Sequence, residues 1–284
     1  MIREADDHDL DAVFALLEER GRAAFGISEL QREHLETTWR LGSHWVADAD
    51  GGVVGYAHLS PGQSLTHAAV DPTAGDELLR AAEAEASRRG FDHVTVTAVR
   101  EDAPLWALVE RNGFERDRDV LRMQRILDDD LPVPAWPGDV ALRTYTDDDG
   151  QRVQTLLDET YGAWDPDHVP EPHADWLAFM TGSSDFDPEL WFLVEREGEL
   201  VACALHWRAT EGRGWVKDIV VREEERGRGL GKALLQHAFR VYASRGATQV
   251  GLKVDSTNPT GAIQLYERLG FVTDQRLTIW LKRL

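Results

Sequence analysis

The chain is written twice. Ile2-Arg3-Glu4-Ala5-Asp6-Asp7 and the helical spacing of Leu10, Val13, Phe14, Leu16 and Leu17 open the first half; Leu142-Arg143-Thr144-Tyr145-Thr146-Asp147-Asp148 and Val153, Leu156 and Leu157 open the second. An apolar run at 44–48, the turn Asp50-Gly51-Gly52 and a second run at 53–59 read as a hairpin, matched by 191–195, 196–199 and 200–207. Both halves end on a helix running into Gly-Phe, Leu108-Val109-Glu110-Arg111-Asn112-Gly113-Phe114 and Leu265-Tyr266-Glu267-Arg268-Leu269-Gly270-Phe271. A last strand follows each, near 120–126 and 277–281. Strands alternating with helices imply an α/β fold, each copy a mixed sheet, mostly antiparallel and partly parallel, flanked by helices. The expected organisation is a first domain at 1–127, an acidic, proline-containing linker at 128–138, and a second domain at 139–284.

Composition narrows the class. Hydrophobic residues are 42% of the 284, including 10 Trp, enough for a core in each copy. No run is apolar for long enough to span a bilayer, and the acidic start lacks the basic-then-apolar order of a secretory signal. The single cysteine, Cys203, excludes an intrachain disulfide and a cysteine-rich zinc site; no metal is expected. Together these favour the cytoplasm. A net charge of -20 argues against nucleic acid, whose phosphates need clustered Lys and Arg. It suits either a solubility-tuned surface or the attraction of a cationic amine.

The chemistry concentrates at 215–235. A β-rich run, Trp215-Val216-Lys217-Asp218-Ile219-Val220-Val221, leads into Arg226-Gly227-Arg228-Gly229-Leu230-Gly231-Lys232 and then an amphipathic helix carrying Leu234, Leu235, Ala238 and Phe239 on one side. Glycines allow positive φ and close backbone approach. Free N–H groups at a helix start, helped by the dipole, make an anion site suited to a pyrophosphate. Neither the P-loop nor the dinucleotide spacing is present. The R-x-x-G-x-G form of Arg226, Gly229 and Gly231, followed by Asn258 and by Tyr266 ahead of Gly270-Phe271, resembles the GNAT superfamily of acyl-CoA N-acyltransferases. The resemblance covers the second half fully and the first in degraded form, as in tandem-domain members.

That resemblance implies a catalytic second domain using acetyl-CoA as co-substrate. It places the pyrophosphate on Arg226, Gly227, Arg228, Gly229, Leu230, Gly231 and Lys232, and the pantetheine arm along Ile219, Val220 and Val221 as an added strand. Asn258 would contact the arm and Tyr266 would be the general acid for the departing thiolate. Transfer would be direct, in a ternary complex, so Cys203 is read as a buried strand residue rather than a nucleophile. For the base that accepts the amine proton, Asp218, Glu195 and His206 are candidates. Tyr161, Trp164 and Asp165, with Pro166 and Asp167 beside them, lie where the family builds its acceptor site. Aromatics among acids would suit a small-molecule or peptide amine, and would equally suit core packing beside a solvated loop.

The first half has lost the same parts. Val70-Asp71-Pro72-Thr73-Ala74-Gly75-Asp76-Glu77 is shorter, has one Gly and no Arg, and adds acids that repel a phosphate. Val109 stands where Tyr266 stands. This half reads as a non-catalytic copy. A non-catalytic acyl-CoA-binding sensor, an acyltransferase with another acyl donor, and a monomer or homodimer all stay open.

Overall fold

The computed structural model describes residues 1–26, 30–49, 51–69, 71–165 and 168–284. Asp50 of the first hairpin turn, Val70 of the shortened loop, and Pro166 and Asp167 beside the expected acceptor segment lie outside the described residues. The chain forms two compact units, Met1–Val120 with Arg276–Leu284, and Leu121–Gln275.

The first unit runs β1 (Ile2–Glu4), α1 (Leu10–Phe25), α2 (Arg32–Trp39), β2 (Ser43–Ala49), β3 (Gly52–Leu59), β4 (Ser64–Ala69), α3 (Pro72–Arg88), β5 (His93–Val99) and α4 (Ala103–Arg111), and enters β6 (Glu115–Ile126). β1 to β4 pair antiparallel in sequence order, and β4 pairs parallel to β5. Val13 and Leu16 of α1 and Leu35 of α2 meet Val46, Tyr56 and Ala68 on one sheet face. Leu78, Leu79 and Ala82 of α3 and Leu108 and Val109 of α4 cover the other.

The second unit runs β7 (Ala141–Thr144), α5 (Gly150–Gly162), α6 (His173–Thr181), β8 (Phe192–Arg196), β9 (Glu199–Thr210), β10 (Arg213–Val221), α7 (Leu230–Ser244), β11 (Gln249–Asp255), α8 (Ala262–Arg268) and the start of β12 (Val272–Arg283). β7 to β10 pair antiparallel in sequence order and β10 pairs parallel to β11. Val153, Leu156 and Leu157 of α5 pack on Leu193, Cys203, Leu205 and Val220, while α7 presents Leu230, Leu234, Leu235 and Phe239 to the opposite face.

The repeated acidic openings have a local cause. Asp9 and Asp149 each accept the N–H of the residue that precedes the first helical turn, closing a capping box. Each also takes a forked pair of hydrogen bonds from an arginine of the first strand, Arg3 at 2.7 and 2.7 Å and Arg143 at 2.7 and 2.6 Å. The arginine side fixes the short strand, and the acid fixes the helix start. The short strands β1 and β7 and the helices α2 and α6 are additions to the order read from the sequence.

Candidate active site

The parallel ladder between β10 and β11 runs from Arg213↔Gln249 to Val216↔Leu252 and stops, although β10 continues to Val221 and β11 to Asp255. Past that point the strands part. The opening is a cavity of about 890 Å3 lined by 216–221 on one side and 252–255 on the other. Backbone N–H and C=O groups seek partners wherever water is excluded, so the β10 edge is an unfilled place for an extended chain.

Register decides which side chains look into this opening. Val216 opposes His206, and the next pair is Asp218↔Leu205, so β10 carries an extra residue at Lys217. Val216 packs on the α7 side. Strict alternation would turn residue 218 the same way. After the bulge the phase is reversed: Ile219 and Val221 pack on the α7 side and Val220 on the α5 side. Asp218 therefore meets α5, where the Tyr161 hydroxyl donates to its Oδ1 at 2.5 Å.

From Gly227 to Lys232 the backbone N–H groups find no acceptor among the described residues. Gly227 and Gly229 hold φ of 76° and 86°, a region that side chains with a Cβ disfavour. These turns aim the amides together at the start of α7, where the helix dipole adds positive potential. Arg226, Gly227, Gly229, Leu230, Gly231 and Lys232 all line the cavity. Arg228 does not; it pairs with Asp139 at 2.9 Å and Glu225 at 3.3 Å, and Arg196 closes the same network on both acids. Asn258 lines the cavity too, its Oδ1 accepting from the Thr260 N–H at 2.9 Å.

Tyr161, Trp164 and Asp165 line the same cavity, as does Tyr266 of α8. Tyr266 is 6% exposed and its hydroxyl has no hydrogen-bond partner among the described residues. Burial, and secondarily the Asp218 charge, push its pKa well above the ordinary phenol value, so it holds its proton more tightly than a free phenol does. The same causes raise Tyr161, with its hydrogen bond to Asp218 added. Burial first and the Asp218 charge second raise the Cys203 thiol, so a thiolate is disfavoured there.

Two candidates stand away from the cavity. Glu195 accepts from Arg143 at 2.7 Å and Arg152 at 3.1 Å, which secures the outer strands. His206 is fully buried, its ring 5.3 Å from that of Phe192 and 5.7 Å from that of Tyr242, and burial lowers it to about 3. Neither reaches the cavity in this arrangement. Conversely, Lys253, Asp255, Gln264 and Arg268 line it and escaped sequence reasoning. The available signal was their place: Lys253 and Asp255 alternate with buried Leu252 and Val254 on the strand facing the glycine loop.

The equivalent opening in the first unit is filled from within. The β4–β5 ladder covers Ser64↔Thr95 and Leu65↔Val96. Beyond it Arg20 of α1 donates to the Ala69 carbonyl at 2.6 Å and also bonds Asp102, the N-cap of α4. At the start of α3, Asp71 accepts the Ala74 N–H at 3.0 Å and Pro72 has no N–H to offer.

The model of the acetyltransferase (GNAT) family matches the chain at residues 10–114 and again at 151–271. Mycothiol acetyltransferase of Streptomyces coelicolor is 30% identical over 292 aligned residues, covering 96% of this chain and 92% of its own. That of Tsukamurella paurometabola is 31% identical, covering 94% of each. Among solved structures, a GCN5-related N-acetyltransferase from Sphaerobacter thermophilus superposes with a TM-score of 0.75 at 27% identity, covering 100% of this chain and 95% of its own. A tandem GNAT protein from the clavulanic acid biosynthesis pathway, 17% identical, shares the fold at 0.79, covering 100% and 98%.

Proposed function

The chain belongs to the acetyltransferase (GNAT) family, two such domains in tandem, and is an acyltransferase; from that premise we propose that it is a cytoplasmic N-acetyltransferase. It moves the acetyl group of acetyl-CoA to a primary amine of a small molecule or peptide by direct attack in a ternary complex. The observation that carries this reading is the row of unpartnered amides at 227–232 opening onto the unpaired edge of β10, in one cavity with Tyr266.

The fit to the co-substrate rests on those groups. The amides of 227–232, with Arg226 and Lys232, would hold the pyrophosphate. The edge at 219–221 would take the pantetheine amides as a neighbouring strand, and Asn258 would lie beside the arm. Acetyl-CoA supplies an activated acetyl carbon. The acceptor nitrogen bonds to that carbon and the C–S bond breaks. Asp218 takes the proton the amine must lose, and Tyr266 gives its proton to the sulfur. An amide of β10 near Val220 is the donor for the oxyanion. Arg228, committed to Asp139 and Glu225, braces the loop from behind.

Titration calorimetry of acetyl-CoA into the purified protein tests the donor. Binding that disappears in Gly229→Val supports the assignment, and no binding to the parent protein sinks it. A panel of primary amines with acetyl-CoA then tests the acceptor. The relatives near 30% identity over almost the whole chain favour a second, narrower reading, a mycothiol-type acceptor; the panel includes one.

A further inference from the structure

We propose that Tyr161 is a positioning residue for the transfer: its hydroxyl anchors Oδ1 of Asp218 and so leaves Oδ2 to take the acceptor's proton. The inference rests on the reading of Asp218 as the base, and the geometry carries it further. The bulge at Lys217 turns Asp218 out of phase with the strand and delivers it to the last turn of α5. There the hydrogen bond is short, 2.5 Å. Oδ2 keeps a contact of 3.4 Å with Lys217 Nζ, too long for a well-formed charged hydrogen bond.

Tyr161 cannot easily move away. Its ring lies 6.5 Å from that of Trp164 and 5.8 Å from that of His168, which is itself fixed at 2.9 Å to Asp158. Among the described residues the Asp218 carboxylate is contacted by Tyr161 from α5 and Lys217 on its own strand, and its charge also acts on Cys203 of β9 and Tyr266 of α8. Burial keeps the proton on Tyr161, so the hydroxyl is a donor throughout the neutral range. An unanchored carboxylate would rotate toward Lys217 and lose the near-attack geometry on which proton transfer depends.

The test uses the full chain, acetyl-CoA, and the amine of highest turnover in a panel of primary amines. Tyr161→Phe, Asp218→Asn and the double variant are compared for kcat, for KM toward acetyl-CoA and for thermal midpoint. Tyr161→Phe is expected to lower kcat roughly tenfold with KM unchanged and the thermal midpoint lower by only a few degrees, the cost of one lost hydrogen bond, and the double variant to be no slower than Asp218→Asn, as coupled residues require. Parent-like turnover in Tyr161→Phe beside a disabled Asp218→Asn overturns the positioning role and leaves the base in place. Losses that multiply in the double variant also overturn it. Parent-like turnover in Asp218→Asn removes the base reading and this inference with it. Absence of turnover with every amine overturns the transfer reading beneath both.

Discussion

A buried phenol that keeps its proton at neutral pH is useful only where a strong base is released beside it. Tyr266 meets the first condition through burial and the nearby Asp218 charge; in the acid role proposed for it within the cavity it would meet the second. Tyr266→Phe retains the ring that packs against Phe271 and removes the proton. Turnover is expected to fall roughly a hundredfold with KM for acetyl-CoA unchanged, measured in steady state; equal turnover would take the acid role from this residue. The place of Tyr266 on α8 was legible because its distance from Gly-Phe is a local, helical spacing. The Tyr161–Asp218 pair was not, because one extra residue in β10 decides which face Asp218 takes, and no alternation pattern encodes it. Glu195, whose strand slips register between Val194 and Glu195, is held by Arg143 and Arg152 away from the cavity. His206, the other base candidate, turns its ring to Phe192 and to Tyr242 of α7.

Glycine spacing speaks for backbone, so the shape of the loop at 226–232, with positive φ at Gly227 and Gly229, was legible in the sequence. Gly229 at φ 86° begins α7. A β-branched side chain there is strained whatever space surrounds it, and Gly229→Val should abolish acetyl-CoA binding in calorimetry. Arg228→Ala should bind nearly as the parent does, since Arg228 is turned to Asp139 and Glu225; that direction depends on a residue 89 positions away and cannot be seen in the motif. The helix behind the loop is set by packing. Leu234 is fully buried in the second unit's core, and Leu234→Ala is expected to cost about 2–5 kcal/mol in denaturant unfolding. In the first unit the corresponding helix start is tied by His67, whose Nε2 meets the Gly75 carbonyl at 3.0 Å. Burial lowers this imidazole to about 4. The unfolded chain takes up the proton near 6.5, so the stabilising neutral form is fully present above that value and its contribution is lost as pH falls toward 4. The loss is about 2 kcal/mol by pH 5. Thermal unfolding at pH 7.5 and pH 5 should show it, and His67→Gln should reduce the difference by that share, the remainder belonging to other buried imidazoles such as His58, which burial also lowers to about 4.

Duplication was visible in the sequence at the scale of the whole molecule, because paired signatures such as Gly-Phe recur in order. The ownership of the last strand was not. Residues 276–284 follow the second copy's motifs, yet they belong to the first compact unit. Leu277 to Arg283 pair antiparallel with β5, from Leu277↔Val99 to Arg283↔His93. Trp280 is 4% exposed in the core that α3 and α4 cover, and its ring stands edge-on to Trp106 at 5.0 Å. Strand pairing between distant segments costs loop closure that no local pattern records, so a chain read from one end to the other assigns this strand to its sequence neighbours. The consequence can be measured. Trp280→Ala removes a large buried ring and should cost about 3–5 kcal/mol. The loss should be local: amide exchange is expected to speed up at 93–99 and in α3, while α7 keeps the protection of the parent protein. Faster exchange concentrated in α7 would show that the terminal strand supports the second unit instead. Uniform loss across both units would show that they unfold as one cooperative body.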